Sequence, residues 1–389
     1  MKYVILFLLT LSLLFPKNAF ATYNPLERPN NKYGIHIVDE NDLTKAAKLV
    51  NSQGGDWGYV TIVIQENERK VEKWNQIFAS MHELHLIPIV RLATKIQGQV
   101  WKKPQLSEVI PWTDFLDSLS WVTKNKYVIL FNEPNHAKEW GGDLNPPEYA
   151  QIVSSFSATL KQKSDDFFVL AAGFDTSAPN SSLTMDELAF VKAMIGNQPD
   201  IFSKVDGWVS HSYPNPGFTS SVDAKGRGTI ATYQWERQML KNLRVEKKLP
   251  IFITETGWPH TEGLPNNKNY FSSEKIAEFI PQAAETVWND ADIVAITPFI
   301  LNYQSIPFSN FSWQKVGEEN FYPQYEAYRN LTKSAGNPLL SQYWLTPTPT
   351  ITPILTPTSP PQQILGISTG KGVLFSFLSF ISKFISLNI

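Results

Sequence analysis

Eight short runs between residues 32 and 300 are apolar at consecutive positions rather than at alternate ones. They read KYGIHIV (32–38), GYVTIVI (58–64), LIPIVRL (86–92), KYVILFN (126–132), FFVLAAG (167–173), VDGWVSH (205–211), PIFITE (250–255) and DIVAITPFI (292–300). A strand with one wet face alternates apolar and polar residues. One that is apolar throughout is covered on both faces, as in a parallel sheet clothed by helices. The stretches between the runs have helical spacing. NDLTKAAKLVNSQGG offers capping groups at Asn41 and Asp42, an apolar stripe and a terminating Gly54. NPPEYAQIVSSFSATLKQK begins with prolines where a first turn tolerates them, and Pro281 marks a kink in SSEKIAEFIPQAAETVW. Eight such units predict an α/β chain folded as a single (β/α)8 barrel. The doubly wound alternative lacks its glycine-rich phosphate loop after the first run.

The ends of the chain differ from this middle. Residues 1–21 carry Lys2, an apolar run from Tyr3 to Phe15 and an Ala19-Phe20-Ala21 site, the pattern of a cleaved signal peptide. Residues 22–345 form the expected catalytic domain. Residues 346–363 are a Thr/Pro-rich linker, and 364–389 an apolar, amphipathic tail broken by serines and Lys383. The expectation is a secreted or cell-surface protein with membrane contact through that tail. A docking helix or unstructured end is the alternative. There is no cysteine, which excludes disulfides and thiolate-ligated metal. The net charge of −2 argues against nucleic acid as a partner. Oligomeric state is not readable.

In a barrel of this kind the active site lies at the C-terminal ends of the strands. Those ends carry His36, Arg91, Asn132 with Glu133, Asp175, His211 with Tyr213, and Glu255. Two carboxyl groups facing one pocket suit glycoside hydrolysis: one protonates the leaving oxygen, the other attacks the anomeric carbon or activates water. Arg91 would keep Glu255 ionised, the Tyr213 hydroxyl would bond it, and Asn132 would hold a sugar hydroxyl. Either glutamate alone has a plain explanation, as a helix cap near NPPEY or a surface ion pair. Trp258 reads as a sugar-stacking platform or a core wedge, and Trp140 as an exposed platform in a loop loosened by Gly141-Gly142. His36 and His211 read as substrate contacts or scaffold. MHELH (81–85) lacks the two-residue gap of a zinc-helix motif, so no metal is expected.

FNEPN (131–135), HSY (211–213) and TETGW (254–258), in order and each at a strand end, resemble the retaining glycoside hydrolases of clan A. The pattern is similar to the cellulase and mannanase family 5 and to the xylosidase-type family 39. The resemblance spans roughly residues 30–345. It implies Glu133 as acid/base, Glu255 as nucleophile, Asn132 as ligand of the 2-hydroxyl, and His211 and Tyr213 as support. It implies no cofactor, and a β-linked polysaccharide or oligosaccharide as substrate. The chain departs from the pattern in two places. Arg91 sits on the third run where many relatives place the arginine nearer the second, and Phe299 stands where a tryptophan often closes the sugar floor. A transglycosylase would use the same residues. A non-catalytic carbohydrate-binding or surface protein on the same barrel is the reading from another class.

Overall fold

The structure, a computed structural model, describes residues 22–345. The expected signal peptide, linker and tail lie outside the described residues. Among the described residues, eight parallel strands occur at the expected runs. They are β1 (Gly34–His36), β2 (Gly58–Gln65), β3 (Leu86–Ala93), β4 (Lys126–Leu130), β5 (Phe167–Ala171), β6 (Trp208–Ser212), β7 (Ile251–Thr256) and β8 (Ile293–Ile296). Helices α1 (Leu43–Val50), α2 (Val71–Glu83), α3 (Val109–Asp117), α4 (Pro146–Lys163), α5 (Glu187–Asn197), α6 (Thr232–Asn242), α7 (Ser273–Glu285) and α8 (Pro323–Arg329) each follow one strand. No helix of the described residues is long and apolar enough to cross a membrane.

The unbroken apolar runs are explained by two cores. In β4, Tyr127 and Ile129 point to the inside with Ile87, Phe168, Val209, Phe252 and Val294. Val128 and Leu130 point outward against the helices, with Tyr149 and Phe156 of α4. The rings of Tyr127, Phe168 and Phe252 lie 5.1–5.5 Å apart and fill the interior. The bottom is therefore packed solid, which confines chemistry to the other end.

The strands do not form one continuous ladder, and this corrects the expected single closed barrel. β1 to β5 make a five-stranded sheet in sequence order, and β6 to β8 a three-stranded one. Isolated bridges join the two arcs, Leu170 to Gly207 and Tyr33 to Ile296, together with Asp206 N donating to Val169 O and Ile296 N to Lys32 O. A Cβ at Gly207 would stand 2.8 Å from the Leu170 and Phe252 side chains, so only glycine admits this approach. β1 is three residues long, and register shifts interrupt β7–β8 at Ile293/Ala295 and β6–β7 at Ser210/His211. A bulge of this kind re-aims a side chain. The second one falls on His211.

The expected caps of α1 do not form, since Asp42 makes no capping bond and Asp39 instead accepts from Asn41 N. Two later helix starts follow the sequence. Asn145 accepts from Glu148 N and Ser272 from Lys275 N, with Pro146 opening α4 and Pro281 inside α7. Asn145, not Glu133, therefore caps the NPPEY helix, which leaves Glu133 to the mouth of the strands.

Candidate active site

β4 ends abruptly. Phe131 has φ +72° and Glu133 φ +31°, a region that non-glycine residues enter at a cost of about 1–3 kcal/mol each. Glu133 N donates to Gly173 O, and His136 N donates to Glu133 O, which anchors the turned backbone. The turn presents the Glu133 carboxyl to β6, where His211 Nδ1 stands 2.9 Å from Oε1.

From β7, Glu255 meets this group. One oxygen of each carboxyl and the His211 nitrogen all lie within 4.8 Å of one another. Arg91 Nη1 from β3 is 3.2 Å from Glu255 Oε1 and also donates to Asn132 Oδ1. The Tyr213 hydroxyl donates to Glu255 Oε2 at 3.1 Å, and His211 Nδ1 is 3.8 Å from the same oxygen. Four strands thus bring together Arg91, Asn132, Glu133, His211, Tyr213 and Glu255.

Gly173, just past β5, makes the arrangement fit. A Cβ there would land on the His211 ring, 2.5 Å from Nε2.

The charges are uneven. Burial pushes the Glu133 carboxyl up, but the His211 hydrogen bond and the charges of His211 and His136 outweigh it and hold Glu133 below its ordinary value. Burial pulls His211 down, but the Glu255 and Glu133 carboxylates outweigh it and hold the imidazole above its ordinary value. Both shifts favour the charged form of each group. Burial, helped by both carboxylates, raises Tyr213 well above the phenol range, so it remains a donor. Burial, with Arg91 adding, lowers His36 to about 3, so it is neutral.

A cation would find ligands in Glu133, His211 and Glu255. Two features suit the group better to a carboxylate pair. His211 Nδ1 is already engaged with Glu133, and the Arg91 guanidinium occupies the Glu255 side with a positive charge.

Three other expected residues are placed differently. Trp140 is fully buried, not an exposed platform; its indole donates to Glu148 and packs edge-on to Tyr149 of α4. Its loop is tied down rather than loose, through Gly141 N to Trp101 O and Lys103 to Asp143 and Glu148. Trp258 is 2 % exposed, donates to Ser220 O and packs on Phe279 of α7, which makes it a core wedge and not a stacking surface. His36 is 1 % exposed, edge-on to Phe299 at 5.2 Å, beneath the mouth rather than at it. Phe299 itself sits in an aromatic cluster with Phe308 and Phe311.

Two groups escaped the sequence reading. His136 Nε2 lies 2.8 Å from Asp175 Oδ2, and its charge bears on Glu133. Glu139 follows in the same loop; burial raises its carboxyl to about 7, with the Glu133 charge adding to the rise and Lys138 opposing it. Both fall within NEPNHAKE, so adjacency to Glu133 was the available signal.

No protein-family model matches the chain, and no curated protein does. Solved structures do. A monomeric β-xylosidase from Caulobacter crescentus CB15 superposes with a TM-score of 0.51 at 14 % identity, covering 82 % of this chain and 72 % of that one. A GH39 β-xylosidase from Caulobacter crescentus gives 0.50 at 14 %, covering 81 % and 75 %. The exo-β-1,4-mannosidase Op5Man5 from Opitutaceae bacterium strain TAV5 gives 0.50 at 11 %, covering 81 % of this chain and 61 % of that one. The likeness is one of fold: this chain shares the α/β architecture of these xylosidases and this mannosidase.

Proposed function

We propose that the protein is a retaining β-glycoside hydrolase, exported and held at the cell surface. The observation that carries this reading is the carboxyl pair, with oxygens of Glu133 and Glu255 within 4.8 Å of each other. Retaining enzymes hold their carboxyls about 5–5.5 Å apart, whereas inverting ones leave about 6.5–9.5 Å for a water.

The roles follow from the neighbours. Glu255, ion-paired with Arg91 and accepting from the Tyr213 hydroxyl, attacks the anomeric carbon. The bond to the leaving oxygen breaks as Glu133 protonates that oxygen. His211, 2.9 Å from Glu133, exchanges this proton with it, giving it up before the first step and taking one back after the second. Water then attacks the glycosyl ester, Glu133 takes the water's proton, and Glu255 leaves. Asn132, oriented by Arg91, is positioned to bind a sugar hydroxyl. Where a second sugar replaces the water, the same steps give transglycosylation. The substrate class is β-linked oligosaccharide or polysaccharide.

The test uses purified protein and a panel of aryl β-glycosides and β-glucans, mannans and xylans. Parent activity is expected on at least one, reduced by several orders of magnitude in Glu133→Ala and Glu255→Ala, and partly restored to both by azide. Sugar binding without any turnover would instead support a carbohydrate-binding protein. Undiminished activity in Glu255→Ala would overturn the proposed mechanism.

A further inference from the structure

Glu133 has a second imidazole beside it, which the steps above leave without a role. His136 lies in the same turn, and His136 N donates to Glu133 O at 2.9 Å. Its Nε2 stands 2.8 Å from Asp175 Oδ2 in the loop after β5.

This dyad is held from several directions. The buried Asn135 donates through Nδ2 to Asp175 O at 2.9 Å and to Met185 O at 3.0 Å, and its Oδ1 accepts from Asp175 N at 3.2 Å. The second carboxyl oxygen of Asp175 accepts from Ser177 N at 2.8 Å. Ala137 N donates to Leu183 O, and His136 forms an isolated antiparallel bridge with Thr184. Supporting hydrogen bonds of this kind fix the orientation of a group that must act on its neighbour. The dyad is nevertheless open to water. The side chains of His136 and Asp175 are 17 % and 30 % exposed, against 2 % for His211.

Across the mouth stand Asp175, His136, Glu133, His211, Glu255 and Arg91, carboxyl and base in turn. Burial pulls the His136 imidazole down, but the Asp175 hydrogen bond and the Glu133 and Asp175 charges outweigh it and hold it above its ordinary value, with Lys138 opposing. The other titratable groups bearing on the dyad are Glu139 in the same loop and His211 opposite Asp175. The two chemical steps ask opposite things of Glu133. The first needs its acid, to protonate the leaving oxygen, and the second its carboxylate, to take the water's proton. A positive charge nearby favours the carboxylate. A neutral amide would hold Asp175 as well as an imidazole does, so charge is what a histidine adds here.

We propose that His136, held in place by Asp175, is a positioning residue that biases Glu133 towards its carboxylate and so favours the second step, release of the sugar from Glu255, over the first. This rests on the retaining reading above.

The test is His136→Gln, which keeps a hydrogen-bond donor for Asp175 and removes the charge, with thermal unfolding to confirm the fold. For an aryl β-glycoside with a poor leaving group, kcat/KM follows the first step. For a dinitrophenyl β-glycoside, kcat follows the second. Without the charge Glu133 holds its proton to higher pH. The alkaline limb of the first profile and the acid limb of the second are therefore both expected to move up, by roughly half a pH unit or more. Limbs that stay in place, or a loss uniform in pH, would overturn the proposal and leave His136 a structural role. Imidazole NMR reads the same link without turnover. The His136 ring signal, assigned by its loss in His136→Gln, is expected to titrate above the ordinary 6.5 and to move down in Glu133→Gln as well as in Asp175→Asn. A midpoint unchanged in Glu133→Gln would overturn the proposal whatever the kinetics. If the parent turns over no glycoside, the retaining reading has failed separately, and NMR alone decides whether His136 and Glu133 set each other's charge.

Discussion

Much of the site depends on Gly173, which has no side chain to contribute. It sets how closely the end of β5 approaches His211, and His211 Nδ1 bonds the Glu133 carboxyl. Gly173→Ala must push the imidazole or move the backbone. The expected outcome is a folded protein with kcat/KM reduced at least tenfold, checked by kinetics beside circular dichroism. Unchanged kinetics would mean that His211 does not hold Glu133 in the working enzyme. At this scale the sequence was partly legible. The six polar residues that meet were all named from strand ends, because strand ends converge in such a fold whatever their sequence separation. The fates of Trp140 and Trp258 were not, because an indole near a strand-end glutamate has two faces and only the path of the loop decides which one is covered. Asp175 was read as a strand end, but its partner His136 was not, since their pairing depends on a 39-residue separation closing in space.

Among the elements, β6 bears the greatest demand. Its front carries His211 and leads into Tyr213. Behind it, Glu187 of α5 and Glu236 of α6 are fully buried beside one another. Burial raises both carboxyls, Glu187 further through the Glu236 charge, and Glu236 reaches about 7. In the unfolded chain these groups lose their protons near the ordinary 4.5. On these two groups the folded state therefore holds more protons than the unfolded one above that value, and their contribution to stability falls as pH rises from about 4.5 towards 7. Below 4.5 both states are protonated and the penalty vanishes. Glu236→Gln is expected to flatten this fall, by up to about 1.4 kcal/mol per pH unit for each proton involved. Urea unfolding at pH 5, 6 and 7 measures it, and an unaltered slope would show that the pair ionises freely in the fold. The strands themselves were readable because each is buried on both faces. The division into two arcs was not, since seams held by single bridges, Leu170 to Gly207 and Tyr33 to Ile296, leave no periodic trace.

For the molecule as a whole, a solid aromatic interior below and a polar mouth above leave one end for chemistry. Shared fold with xylosidases and a mannosidase at 11–14 % identity fits that arrangement without naming the sugar. The loops that would select the proposed substrate carry no periodicity to read. The central claim is that Glu255 becomes covalently glycosylated during turnover. The most direct measurement is intact-mass and peptide analysis after incubation with an activated fluoro-glycoside, which slows release of the intermediate. The account expects one added sugar, on the peptide that contains Glu255, and none in Glu255→Ala. Turnover of ordinary substrate with no adduct and an inverted first product, or an adduct on another residue, would contradict it.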